Sequence, residues 1–222
     1  MDINILARLS GVHPQSVIEH KQVKGAHVLR IDLKNEPGLR RALDGELTGK
    51  EKLPDGDIFE TSFLLDGVSR TFNAESLEKQ RSHDFGDENG PIPAWLLAAE
   101  VMRPNAIFNG WAERISFTVF DRHSGAVYDL SEPLDNWQRP WMAHGLAYRA
   151  ITGEVYFVWQ QPASGFLEVN HDVDGEGSMH LAGAFSNVHF DMPNYQDIFE
   201  DAPDREFVID LPSGFYAAKG LV

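Results

Sequence analysis

Residues 113–121 place Ile115, Phe117 and Val119 on one side of an extended chain and Arg114, Ser116 and Thr118 on the other. That period of two predicts a half-buried β-strand. Residues 26–33 repeat it, with Leu29, Ile31 and Leu33 against Arg30 and Asp32, and so do 206–211, with Phe207, Ile209 and Leu211 on one side. The run VYFVW at 155–159 is apolar on both faces, which predicts a central strand. Turn residues separate these segments. Asp66-Gly67 lies between Ile58–Leu65 and Val68–Asn73, Thr152-Gly153 between 145–151 and 154–160, and DVDGEG (172–177) between 166–170 and 178–191. Ser124-Gly125 reads as a turn from 113–121 into 126–130.

Helices are predicted mainly toward the N-terminus. Residues 2–9 and 14–21 form a pair broken by Gly11 and Pro14. A short helix over 36–44 has Pro37 in its first turn and Gly45 just past its end. Asn73 is placed to cap a helix over 74–81, and 93–102 reads as an apolar helix stopped by Pro104. The stretches 48–57 and 82–93 are rich in Gly, Pro and charge and read as loops. Tight turns between successive strands favour antiparallel pairing. The fold class predicted is mainly β: an antiparallel β-sandwich or barrel with a few short peripheral helices, with α+β as the alternative. One β-rich domain over 1–222 is expected, with 1–52 a small α/β subregion at its N-terminal end.

Composition adds limits. The chain has 222 residues, 42% apolar and 24% charged, which suits a globular protein. It has no cysteine, which excludes disulfides, thiolate metal sites and cysteine nucleophiles. The first ten residues, MDINILARLS, lack a basic start followed by a long apolar run, and no long apolar span follows. A cytoplasmic protein that engages no membrane is therefore expected. The net charge is −15, from 19 Lys and Arg against 34 Asp and Glu. Residues 1–52 hold 9 basic and 7 acidic side chains, so 53–222 hold 10 and 27, a net of −17. Such a surface repels nucleic acid and anionic membranes and attracts a basic partner.

Candidate chemistry is sparse. The window LARLSGVHPQSVIEH (6–20), with Gly11 at its turn and Ser16-Val17 opening the second helix, resembles the first two helices of a repressor helix-turn-helix. The resemblance implies DNA binding. Its second helix would offer Gln15, Ser16, His20 and Lys21 to a groove, without arginine for the phosphates. A helical pair packed on a sheet explains the same residues. Asp172, Asp174 and Glu176 alternate as in a calcium loop, but Gly183 stands where the bidentate acid is needed, so a hairpin turn is the expectation and no cofactor or metal is predicted. His180 and His189 are nine residues apart and in a regular strand face opposite sides, His189 with Leu181 and Phe185; only a bulge would put the two on one face. His189 and Asp191 do share a face and are the one acid–base pair left open. Ser124, Ser164 and Ser213 each precede glycine and read as turns, with no nucleophile elbow and no phosphate-binding glycine loop.

Two segments suit a partner. Trp137 and Trp141 lie in DNWQRPWMAHGLAY (135–148) among residue types that anchor interfaces or fold back on a core. DIFEDAPDRE (197–206) carries Asp197, Glu200, Asp201, Asp204 and Glu206 against Arg205. The function expected is an acidic binding protein of immunity or inhibitor type that engages a basic protein partner. The alternative is a small β-barrel enzyme, or a binder of apolar ligands, working through His and carboxylate groups.

Overall fold

The computed structural model describes residues 3–36, 57–65, 68–73, 76–87, 90–102, 110–120, 125–132, 140–149, 155–198 and 207–221. Among these residues one α-helix, α1 (Ile3–Leu9), precedes thirteen strands. These are β1 (Val17–Val23), β2 (Ala26–Ile31), β3 (Ile58–Leu65), β4 (Val68–Asn73), β5 (Ser76–Asp87), β6 (Gly90–Met102), β7 (Gly110–Phe120), β8 (Ala126–Asp129), β9 (Trp141–Arg149), β10 (Val155–Gln160), β11 (Ser164–Val173), β12 (Met179–Met192) and β13 (Phe207–Leu221). They form two antiparallel sheets, one ordered β1-β2-β10-β9-β7-β6-β5 and the other β4-β3-β13-β12-β11-β8.

The sheets face each other across one apolar core. Val28, Leu97, Phe117, Val119 and Val158 from the first meet Phe59, Leu167, Phe185, Phe190 and Tyr216 from the second. Phe117 and Tyr216 meet across the divide as a tilted ring pair, with centroids 4.3 Å apart and planes at 53°. The mainly β class holds, and the arrangement is sandwich-like. Neither sheet closes on itself, so the barrel alternative is overturned, and one α-helix among the described residues leaves α+β without its helices.

The other face of the seven-stranded sheet is roofed by α1. Ile5, Leu6, Leu9 and Val12 pack with Leu29, Ile31, Leu96, Phe157 and Trp159. Two polar clamps fix the helix end. Arg114, buried on β7, donates to the Leu9 carbonyl at 2.8 Å, satisfying a group that the helix leaves open. Trp159 Nε1 donates to the Ser10 hydroxyl at 2.7 Å, and that hydroxyl donates to the Leu6 carbonyl at 2.8 Å.

Several expected helices are strands. After α1 comes a 3-10 turn at Pro14–Ser16 and then β1, so the second helix over 14–21 and the helix-turn-helix built on it do not form. The β1–β2 turn is Lys24-Gly25, with φ +46° and +89°. Two positive φ values suit the twist of a tight hairpin, but lysine seldom occupies the first of them. Residues 74–81 do not form a helix: β5 starts at Ser76. Residues 93–102 belong to β6, where Ala94 through Ala99 are all buried. Ala, Leu and Glu favour helix in isolation, but a strand between two neighbours buries both faces of this run, and tertiary burial wins. The loop expected over 82–93 is the far part of the β5–β6 hairpin, with Phe85 opposite Ile92 and Gly86 opposite Pro91. A register shift between Ser82 and Phe85 leaves Pro93 outside the ladder, where its missing N–H does no harm. The short helix expected over 36–44 falls outside the described residues, apart from Glu36. β7 and β8 lie in different sheets, so Ser124-Gly125 does not join a hairpin. Ser164 opens β11 and Ser213 lies inside β13, so neither is a turn.

His27 on β2 is buried, with Nδ1 3.1 Å from His20 Nε2. Burial, aided by the charge of His20, lowers its pKa from 6.5 to about 4. The unfolded chain therefore binds a proton between those values that the native chain refuses. Stability is expected to be complete above pH 6.5 and to fall by on the order of 2–3 kcal/mol as pH drops toward 4. Urea midpoints for wild type and His27→Gln at pH 7.5 and 4.5 test this. The loss should be smaller in the variant, and an equal loss in both would assign it to other groups.

Candidate functional site: the outward face of the six-stranded sheet

The inner face of this sheet makes the core; its outer face carries exposed and half-buried side chains among the described residues. Burial alternates along β11, where Gly165, Leu167 and Val169 are buried and Ser164, Phe166 and Asn170 exposed. On β12 the alternation changes phase. Leu181 and Phe185 point inward, but so do Val188 and Phe190. The change falls at Asn187, whose φ is +51°. β13 changes phase at the same level, and a register shift against β3 lies between Asp210 and Ser213. Both strands kink together, so their mutual register survives, with Ser186 opposite Ser213 and Val188 opposite Leu211. Gly165 of β11 has φ +133° and lies against Val188 so closely that a Cβ there would meet Val188 Cα at 2.7 Å.

The bulge corrects the expectation drawn from strict alternation. His189 does not share the face of Leu181 and Phe185; it points outward, as His180 does. Nine residues of strand still separate the two histidines by about 30 Å, so they form no common site. His189 instead meets two carboxylates. Its Nδ1 is 2.5 Å from Asp210 Oδ1 on β13, and its Nε2 is 3.0 Å from Asp191 Oδ1. The hydrogen bond to Asp210 raises its pKa, burial opposes this, and Asp191 adds to the rise. An imidazole with both nitrogens facing carboxylates suits the protonated form, in which both donate. Ser164 is opposite His189 in the ladder, and Asp210 is opposite it on the other side. A hydroxyl, an imidazole and an acid thus share one row, but Nε2, which would have to take the hydroxyl proton, faces Asp191. The geometry fixes a cation between acids more readily than it offers a base.

The rows nearby mix apolar and small residues. One runs Asp129–Phe166–Ser186–Ser213–Ser62 across β8, β11, β12, β13 and β3. In the next, Phe215 lies between Ala184 and Glu60; beyond it, Ala217 lies between Ala182 and Ile58. Phe215 is 48% exposed, Phe166 45% and Val127 65%. The short side chains of β12 leave Phe166 and Phe215 standing on either side of it, about 12 Å apart, two strand spacings across and two residues along. Around them the outward positions of β3, β8, β11, β12 and β13 carry Glu60, Asp129, Glu168, Asp172, Asp191 and Asp210; Lys219 is their lysine or arginine counterpart.

Of the segments singled out from sequence, only part is described. Asp197 closes a 3-10 turn and ion-pairs with Lys24 at 2.6 Å, an exposed contact of small energy. Glu200, Asp201, Asp204, Glu206 and Trp137 lie outside the described residues, and Trp141 opens β9 opposite Thr118. In the DVDGEG turn, Asp174 Oδ1 accepts the backbone N–H of Glu176 and of Ser178, both at 2.9 Å. The bond from Ser178 holds the Asp174 carboxyl below its usual range. Its other oxygen is 3.2 Å from His180 Nε2. The carboxylate closes the hairpin and is not arranged as a calcium ligand. Among the described residues no group of three or more His, Asp or Glu is placed to hold a metal. None of their helices is long and apolar enough to cross a membrane.

Phe166 and Phe215 escaped the sequence reading, though each left a trace. Phe166 is out of phase with Leu167 and Val169, and Phe215-Tyr216 are adjacent, so one of those two rings must face outward. No family model, curated protein or solved structure matches the chain.

Proposed function

We propose that this is an acidic binding protein that engages and blocks a basic protein partner, in the manner of an immunity or inhibitor protein. The observation that carries the reading is the outward face of the six-stranded sheet, where exposed Phe166, Phe215 and Val127 are ringed by carboxylates. Exposed aromatics supply the buried anchors of an interface, and the acids around them attract and orient a basic surface. Scattered exposed apolar residues are ordinary, but several exposed on one sheet face are not. The acids of 197–206 add charge of the same sign and belong to the same reading, as do Trp137 and Trp141 as further anchors. The cytoplasm is the compartment that goes with it. Nucleic acid is disfavoured as a partner by the same charge.

The enzyme alternative rests on His189, Asp191 and Asp210 and is weakened by the engagement of both imidazole nitrogens. The test is capture on immobilised protein from the native source at low salt, with wild type beside Phe166→Ser/Phe215→Ser. A basic protein held by wild type, released by moderate salt and lost by the variant is the expected result. Retention that ignores salt, or that the variant shares fully, would overturn the reading.

A further inference from the structure

A cleft of about 720 Å³ opens beside α1, on the side of the molecule that carries the seven-stranded sheet. Asn4, Arg8, His13, Gln15 and Gln80 line it, with Val12 among its apolar neighbours. Asn4 and Arg8 are four residues apart and so share one helix face. That face is not the one carrying Ile5, Leu6 and Leu9 to the sheet. Gln80 enters from β5, opposite Leu96 of β6.

The walls are fixed by contacts already described. Arg114 holds the Leu9 carbonyl, and Trp159 holds Ser10. Gly11 turns the chain at φ +68°, with the Arg114 guanidinium 3.0 Å from where a Cβ would stand. The His13 backbone N–H donates to Glu36 Oε1 at 2.7 Å, and the Ser16 hydroxyl donates to the same oxygen at 2.6 Å. Glu36 thus braces the turn from behind and is not part of the cleft lining.

The lining is rich in donors. His13 Nδ1 accepts the Gln15 backbone N–H at 3.2 Å, so the proton of the neutral ring sits on Nε2, which becomes a donor. Arg8 adds a guanidinium, and Asn4, Gln15 and Gln80 add amides. Among the described residues that line the cleft none is a carboxylate, in a chain of net charge −15. An Arg with amide and imidazole N–H groups is the chemistry that recognises oxyanions.

We propose that this cleft binds a small molecule through an oxyanion group, a carboxylate or a phosphate, with Arg8 as its charged anchor. The site is independent of the outward face of the other sheet. The test is an amide-resolved NMR titration of the protein with inorganic phosphate and, separately, with acetate. Saturable shifts at Gly11, Gln15 and Gln80 with either probe are expected; the probe that saturates at the lower concentration names the group. Arg8→Gln should weaken binding about tenfold or more, the loss of one charge-assisted pair. Gln80→Glu, which puts a carboxylate into the cleft from an exposed strand position without touching the helix, should weaken it as well. Lys24→Gln, a cation elsewhere, should leave it unchanged. Shifts that never saturate, that persist in both cleft variants, or that fall equally in Lys24→Gln would overturn the site.

Discussion

Trp159→Ala is expected to lower the stability of the protein by about 3–5 kcal/mol, the range for removing a large aromatic from a packed interior. Trp159 is fully buried on β10, between β2 and β9. Its ring lies over Gly145, where a Cβ would come within 2.6 Å of it, so the glycine exists to admit the indole. The substitution would open a cavity beneath α1 and leave the Ser10 hydroxyl without its donor. Ser10→Ala alone should cost about 1–2 kcal/mol, because Nε1 would remain buried and unpaired. Urea unfolding of the two single variants and the double variant checks the coupling. A double variant no worse than Trp159→Ala is expected, since the hydrogen bond can be lost only once. If Trp159→Ala costs less than about 1 kcal/mol, α1 is not packed on the sheet as described.

Gly183→Val should be comparably damaging, at about 3–5 kcal/mol, from overpacking joined to a lost hydrogen bond. The first atom of any side chain there would collide with the Glu168 carbonyl oxygen and stand 2.8 Å from the Tyr216 hydroxyl. Tyr216 is buried and donates to that same carbonyl at 3.0 Å. The β11–β12 register steps from Leu167 opposite Phe185 to Asn170 opposite Ala182, with no pairing of the residues between. The Glu168 carbonyl serves the phenol instead of the ladder, and the missing side chain of Gly183 gives it room. Burial, with the charge of Glu168 added, raises the Tyr216 pKa, which keeps the phenol a donor at any working pH. Tyr216→Phe should cost only about 1 kcal/mol, because the carbonyl can relax. In the Gly183→Val background it should cost less still, and full additivity would refute the link between the two residues.

Much of the sheet structure was legible because alternation and burial agree. β7 and β13 showed in sequence the residues they turn to the core, but β7 buries Arg114, Ser116 and Thr118 on its other face too. In β2 the expected inner row Leu29 and Ile31 packs under α1 while Val28 meets the core. The β3–β4 and β11–β12 hairpins were marked by turn residues. What escaped was governed by contacts far along the chain. β6 reads as a helix by propensity and is a strand because β5 and β7 flank it. β1 was hidden by a lysine at positive φ and by an edge position where nearly every residue is exposed. Of the candidate site, the pairing of His189 with Asp191 was visible from spacing, but the face on which they lie was not. The phase change at Asn187 has no local signature, since asparagine tolerates positive φ without announcing it. The acids of 197–206 drew attention because they crowd into ten residues, whereas Glu60, Glu168 and Asp210 come onto one face only when β3, β13, β12 and β11 line up in one sheet across long intervals.

The place of β13 also governs how the chain can be assembled. It lies between β3 and β12, so the β3–β4 hairpin has no partner in its own sheet until residues beyond 207 have been made. On the ribosome that hairpin waits through more than a hundred residues with an unpaired edge. The closing contacts join β3 to β13, and contacts of such span slow folding and lengthen exposure to aggregation. A chain stopped before Phe207 would keep β11 with β12 yet hold its six-stranded sheet in two pieces.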